Sequence, residues 1–246
     1  MDISYWINLN PKTKILPTDK IKFSKYTAAA KYYVPGGAYL RSANRKTEYY
    51  STPQEYIHFR ITSARNYKAL GSWHGISLHS LLDADSEVIG HFYDALIGSG
   101  IRYRIEEPYI TIYAEDEATL KQHTQLLNAH CKLLETVTVA ASAEDEQLLA
   151  QNYIFMRNNN GYTHKVTLRD NWYQDKNVTH QLTNYLMHLG DSVQISRSVS
   201  YTLGIIDGNP KGFWNVWFYT KDTSFLPMLD LIKPNIVLKI NPIAIR

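Results

Sequence analysis

Two stretches 92 residues apart share one pattern, and that repetition constrains the chain more than its composition does. Tyr93-DALI-Gly98-SG-Ile101 and Tyr185-LMHL-Gly190-DS-Val193 both read Y-x4-G-x2-[I/V]. Each ends an amphipathic helical pattern, SEVIGHFYDALIG or NVTHQLTNYLMHLG. The glycine supplies the left-handed residue that closes a helix before a strand begins. A second pair, Tyr113-x2-Asp116 and Tyr219-x2-Asp222, recurs at an offset of 106. In both copies a strand stops at the tyrosine and a helical stretch follows, EATLKQHTQLLNAH and then TSFLPMLDLIK. Acidic residues near each helix start suit the positive end of its dipole.

A last strand closes each copy, LLETVTVA and then IVLKINPIAI. With YIHFRITS and HKVTLRD as first strands, the order β-α-β-β-α-β occurs twice, the split-βαβ arrangement. The expected fold is therefore α+β: two tandem ferredoxin-like βαββαβ units with four-stranded antiparallel sheets, preceded by an N-terminal extension. The expected boundaries are a basic, tyrosine-rich extension at 1–54, unit 1 at 55–141, a linker helix at 142–152 and unit 2 at 153–246. The copies differ in two connections. The link from first strand to first helix is long in unit 1 (SARNYKALGSWHGISLHSLLDAD). The middle hairpin is 14 residues longer in unit 2. Insertions on a shared scaffold are where binding and catalysis gather.

Aligning Tyr113 with Tyr219 pairs Ile110 with Val216 and Ile112 with Phe218. These apolar positions are expected to face the helices, with Trp214 beside them by period-two alternation. The opposite face then carries Tyr109, Thr111 and Tyr113 in unit 1, and Phe213, Asn215, Trp217 and Tyr219 in unit 2. No helix covers that face in such a unit. Nucleic-acid bases, the rest of the chain or a partner protein could each cover it.

Hydrophobic content of 44% supports a core, and charge at 20% is too low for a disordered chain. No apolar run approaches a membrane span, and MDISYWINLNPKTK lacks the order of a secretory signal. The lone Cys131 can form no intramolecular disulfide. These features point to a soluble, cytoplasmic protein with no membrane partner. The net charge of +3 divides unevenly: +8 over residues 1–70, −9 over 71–150 and +4 over 151–246. A basic, tyrosine-rich first quarter suits a polyanion, or equally the acidic middle of its own chain.

Two resemblances bear on function. Lys211-GFWNVW-Phe218 resembles the RNP octamer of RRM domains, with Lys211, Gly212, Phe213, Val216 and Phe218 in place. Trp214 and Asn215 depart from it, and HKVTLRD offers no companion aromatic. The resemblance implies an aromatic sheet on which unpaired bases stack. The tandem arrangement also resembles the CRISPR repeat-processing endoribonucleases of the RAMP superfamily. That likeness implies metal-independent RNA cleavage by His74 or His79, aided by Tyr67, with Lys68 or Arg65 on the phosphate. The family's late glycine-rich loop is missing, and the long basic arm is foreign to it.

VPGGAYLRSANRKTEYYS adds a Gly-Gly hinge, then Arg41, Arg45 and Lys46 interleaved with tyrosines. Such a segment suits a nucleic-acid backbone. No phosphate loop, dinucleotide fingerprint, zinc spacing or hydrolase elbow occurs. Asp83-Ala-Asp85-Ser-Glu87 and Glu115-Asp116-Glu117 sit at expected helix starts, where capping explains them without metal. The expected function is non-enzymatic binding of RNA or single-stranded DNA, with no cofactor and no metal. Arg41, Arg45, Lys46 and Lys211 would contact phosphates; Tyr39, Phe213 and Trp217 would stack on bases. The alternative is a protein-interaction, assembly or inhibitor component, and the third possibility is the endoribonuclease.

Overall fold

A computed structural model describes residues 1–43, 50, 52–66, 72–73, 76–77, 83–169, 175–204 and 216–246. The chain is mixed α+β and divides into two compact units, Met1–Gln147 and Leu148–Arg246. Among the described residues, no helix is long and apolar enough to cross a membrane.

Unit 1 runs α1 (Ile3–Leu9), β1 (Lys14–Pro17), β2 (Ala28–Tyr33), α2 (Leu40–Ala43), α3 (Pro53–Asn66) and a two-residue hairpin, β3 (Ser72–Trp73) with β4 (Ile76–Ser77). It continues through α4 (Ser86–Leu96), β5 (Arg102–Glu106), β6 (Tyr109–Ala114), α5 (Glu117–Gln125), β7 (Leu134–Val139) and α6 (Ala143–Ala150), which crosses the unit boundary. Its main sheet has the order β1-β7-β2-β6-β5, with β1 parallel to β7 and every other pair antiparallel.

Unit 2 contains β8 (Ile154–Met156), β9 (His164–Leu168), α7 (Lys176–His188), β10 (Val193–Ile195), α8 (Arg197–Thr202), β11 (Trp217–Thr220), α9 (Leu226–Ile232) and β12 (Val237–Ile245). The sheet order is β10-β11-β9-β12-β8, with β8 parallel to β12. Strand for strand this matches unit 1: β1 with β8, β2 with β9, β5 with β10, β6 with β11, and β7 with β12. The duplication therefore includes one more strand than the sequence suggested. Each sheet is five-stranded and mixed, not four-stranded and antiparallel.

Three of the four repeat motifs act as expected, whereas Asp222 accepts from the Ser224 N–H and caps no helix, α9 having Phe225 at its N-cap. Gly98 and Gly190 both take positive φ, at 79° and 51°, just beyond the helices that carry Tyr93 and Tyr185. Asp85 caps α4 by accepting from the backbone N–H groups of Glu87 and Val88, and Asp116 caps α5 by accepting from Thr119. The acidic clusters are thus helix caps at their central residues.

The expected first strand of unit 1, YIHFRITS, is instead part of α3. Thr52 Oγ1 accepts from the Glu55 N–H at 3.2 Å, and Pro53 opens the helix. Tyr56, Ile57 and Ile61 are buried while Phe59 is 48% exposed, which is a helical period. The two first strands of the unit, β1 and β2, lie inside the stretch expected to be an extension, and β2 is the one that matches β9, the strand over HKVTLRD in unit 2. Strand β2 sits at the middle of the sheet, with Ala28, Ala30 and Tyr32 buried in the core. Alanine is depleted in strands, so AAAKYY announces itself poorly.

The Gly36-Gly37 pair forms a turn. Gly36 has φ +76°, and a Cβ there would lie 2.8 Å from the Ala84 Cβ. The Glu107 carboxylate accepts from the N–H groups of Gly36 and Ala38 at 2.7 and 3.0 Å.

Part of the N-terminal segment also docks on the acidic stretch of its own unit. Lys25 pairs with Glu115 at 2.6 Å, and Trp6 Nε1 donates to Glu117 at 2.8 Å.

Candidate nucleic-acid interface

In each unit the strand residues that join the core share one side of the sheet. In unit 1, Ala28, Ala30, Tyr32, Ile110 and Ile112 cluster with Ile57 of α3, with Ile89 and Phe92 of α4, and with Leu120 of α5. In unit 2, Val166 and Phe218 cluster with Leu182 and Leu186 of α7 and with Leu226 and Leu229 of α9. Ile110, Val216 and Phe218 lie on the core side as the repeat required.

The opposite face of unit 2 is built from alternate residues. Register places Lys239, Thr167 and Trp217 in one cross-strand row, and Asn241, Lys165, Tyr219 and Gln194 in the next. Three aromatic rings are linked along it: Trp217 to Tyr219 at 4.7 Å between centroids, and Tyr219 stacked with Tyr162 at 6.3 Å. Two ammonium groups lie over these rings. Lys165 Nζ is 4.1 Å from the Trp217 centroid, and Lys221 Nζ is 5.7 Å from that of Tyr162. Trp217 and Tyr219 are half-buried, and burial raises the Tyr219 hydroxyl above the usual tyrosine range, keeping it a donor. Strands β8 to β12 carry Lys165 and Lys239 and no carboxylate.

These groups can both stack and neutralise. A lysine over an exposed ring is held by about 0.5–1 kcal/mol. A base stacking on the same ring is worth about 1–3 kcal/mol.

Of the residues expected at a nucleic-acid site, Trp217 lies on this face. Lys211, Phe213, Arg45 and Lys46 lie outside the described residues, as do His74, His79, Tyr67 and Lys68 of the endoribonuclease possibility. Tyr39 is 2% exposed within the core of unit 1, so its ring has no open face for a base. The Arg41 guanidinium donates to the Ile105 carbonyl in β5, which directs it to structure within the unit. Lys165, Tyr162 and Lys221 were not anticipated. Lys165 was legible as the outward partner of Val166 in HKVTLRD, but the Tyr162 and Lys221 contacts join two different loops.

A second concavity, of about 780 Å³, lies between α3 and α4 and is lined by Glu55, His58, Phe59, Glu87, His91 and Asp94. Its carboxylates repel a polyanion, and the described residues hold no group of three metal-ligating side chains.

No family model, curated protein or solved structure matches this chain.

Proposed function

We propose that the protein is a non-enzymatic binder of single-stranded nucleic acid, and that each unit is a ferredoxin-like βαββαβ module extended by one parallel edge strand. The fold assignment is supported by the four antiparallel strands, which run fourth, first, third, second in chain order in both sheets. The observation that carries the function is the Trp217-Tyr219-Tyr162 ladder with Lys165 and Lys221 over its rings, on the sheet side opposite the described helices that pack on the core. Duplex is disfavoured because paired bases offer no free ring face to such a ladder.

The test is fluorescence anisotropy with labelled U12 and dT12 over a range of salt. Expected are binding that weakens steeply as salt rises and a roughly 5- to 150-fold loss in Trp217→Ala. Absence of salt-sensitive binding to both probes overturns the function.

A second possibility, a protein-interaction component, is supported by Met187 on α7 and by Met228 and Leu231 on α9, exposed on two helices that pack together. Isolated exposed apolar residues are common, so this ranks below the basic aromatic face. A stable complex on sizing that is lost in Leu231→Glu and kept in Trp217→Ala would favour it.

A further inference from the structure

Two basic residues of the N-terminal quarter, Lys14 in β1 and Lys31 in β2, enter the sheet of unit 1, and register decides where they point. Lys14 is opposite Thr136, which is opposite Lys31; Lys31 is opposite Thr111, and Thr111 is opposite Arg104. One continuous row, Lys14-Thr136-Lys31-Thr111-Arg104, therefore crosses all five strands on the face away from the core. Cations stand at the two edges and the centre, about 10 Å apart at the usual strand spacing, with hydroxyls between them. Along β2 and β6 the next row is aromatic: Tyr33 is opposite Tyr109, their centroids 5.7 Å apart, and Lys31 Nζ lies 3.8 Å over the Tyr109 ring.

Lysine and ring are related as in unit 2. Lys31 is opposite Thr111 and covers the ring two residues earlier; Lys165 is opposite Tyr219 and covers Trp217, also two residues earlier. The device recurs one pair further along, on different residues, so it does not follow from shared side chains at matching positions.

Other groups limit the face. The loop after β1 folds Phe23 onto Tyr113, with Arg102 4.5 Å from the Phe23 ring, so that end is covered. Arg104 pairs with Glu106 at 2.7 Å, but both are more than half exposed, and such pairs hold their members weakly. Burial first, then Asp83, Tyr109, Glu135 and Glu107, raises the Tyr33 hydroxyl above the usual tyrosine range, and Glu106 stands opposite Tyr109, so this end of the face is the acidic one.

We propose that unit 1 carries a second single-strand-binding face, in which Lys14, Lys31 and Arg104 contact phosphates while Tyr109 and Tyr33 stack bases. This rests on the same stacking chemistry assigned to unit 2 and makes the chain a two-site binder.

The experiment is calorimetric titration of the full chain at low salt with U5 and dT5, together with Tyr109→Ala, Lys14→Gln/Lys31→Gln and Trp217→Ala. The two lysines are surface residues, so that double variant keeps the test meaningful if Tyr109→Ala fails to fold. Expected are two sites per wild-type chain with at least one of the two probes, and one in each variant. The remaining site should be unchanged, and the affected one weakened about 5- to 100-fold or lost. A single wild-type site that disappears in Trp217→Ala and survives both unit 1 changes overturns the second face and leaves the proposed function standing. No binding of either probe overturns both.

Discussion

Trp217 and Phe218 are adjacent in β11 and separate stability from binding at the scale of single residues. Phe218 is fully buried among Val166, Leu182 and Leu229, and Trp217 is half-exposed on the other side. Phe218→Ala is expected to cost unit 2 about 3–5 kcal/mol, seen as an earlier urea transition by circular dichroism. Trp217→Ala should leave that transition within about 1 kcal/mol while weakening single-strand binding at the unit 2 face. Equal destabilisation by both would show that Trp217 is a core residue. In unit 1, His91 Nδ1 and His130 Nε2 are 2.8 Å apart, and only a pair with one bare nitrogen can share a hydrogen. Burial first, then the neighbouring His91, lowers the His130 pKa, against the opposing pull of Asp85 and Glu87. A base with a depressed folded pKa contributes stability that is complete above its unfolded value, about 6.5, and lost as pH falls toward the folded one. Unit 1 should therefore unfold at lower urea at pH 5.5 than at pH 7.5, and His130→Asn should flatten that difference.

Elements show why some local signals were readable and others were not. The helices α4, α5 and α7 were visible because cap, amphipathic stripe and, for α4 and α7, terminal glycine agree. Helix α3 was misread as a strand although Thr52-Pro53-Gln54-Glu55 is a capping box with proline at its first position. The alternation of YIHFRITS outweighed that box, and a short apolar run fits either period. Thr52→Ala should lower the stability of unit 1 by about 1 kcal/mol in urea unfolding, since the Glu55 N–H loses its acceptor. No change would mean that α3 is held by packing alone. Strand β2 was missed for a different reason: its buried residues are three alanines and a tyrosine, and alanine is depleted in strands.

At the scale of the whole molecule, charge is distributed unevenly among the elements. Most acidic residues of 71–150 lie at helix starts and in loops, with Glu106 in β5 and Glu135 in β7 among the exceptions, while β1 and β2 each carry one lysine and β1, β2 and β6 carry no carboxylate. Binding should follow counterion release, at about −0.7 in log K against log salt for each phosphate neutralised on a single strand. Lys165→Gln should reduce the magnitude of that slope by about 0.7, measured by anisotropy at four or more salt concentrations. An unchanged slope would place Lys165 off the phosphate track. The sequence by itself determined that the chain is an α+β duplication, which helices glycine terminates, and which side of β6 and β11 is apolar. Those properties depend on residues within a turn or a strand of one another. Only the tertiary structure decided that a fifth strand joins each sheet, that Tyr39 is core, and that Lys14, Lys31 and Arg104 share one row. Strand partners, and therefore what stands beside a given lysine, are set by pairings between residues far apart in the chain, and no local pattern encodes them.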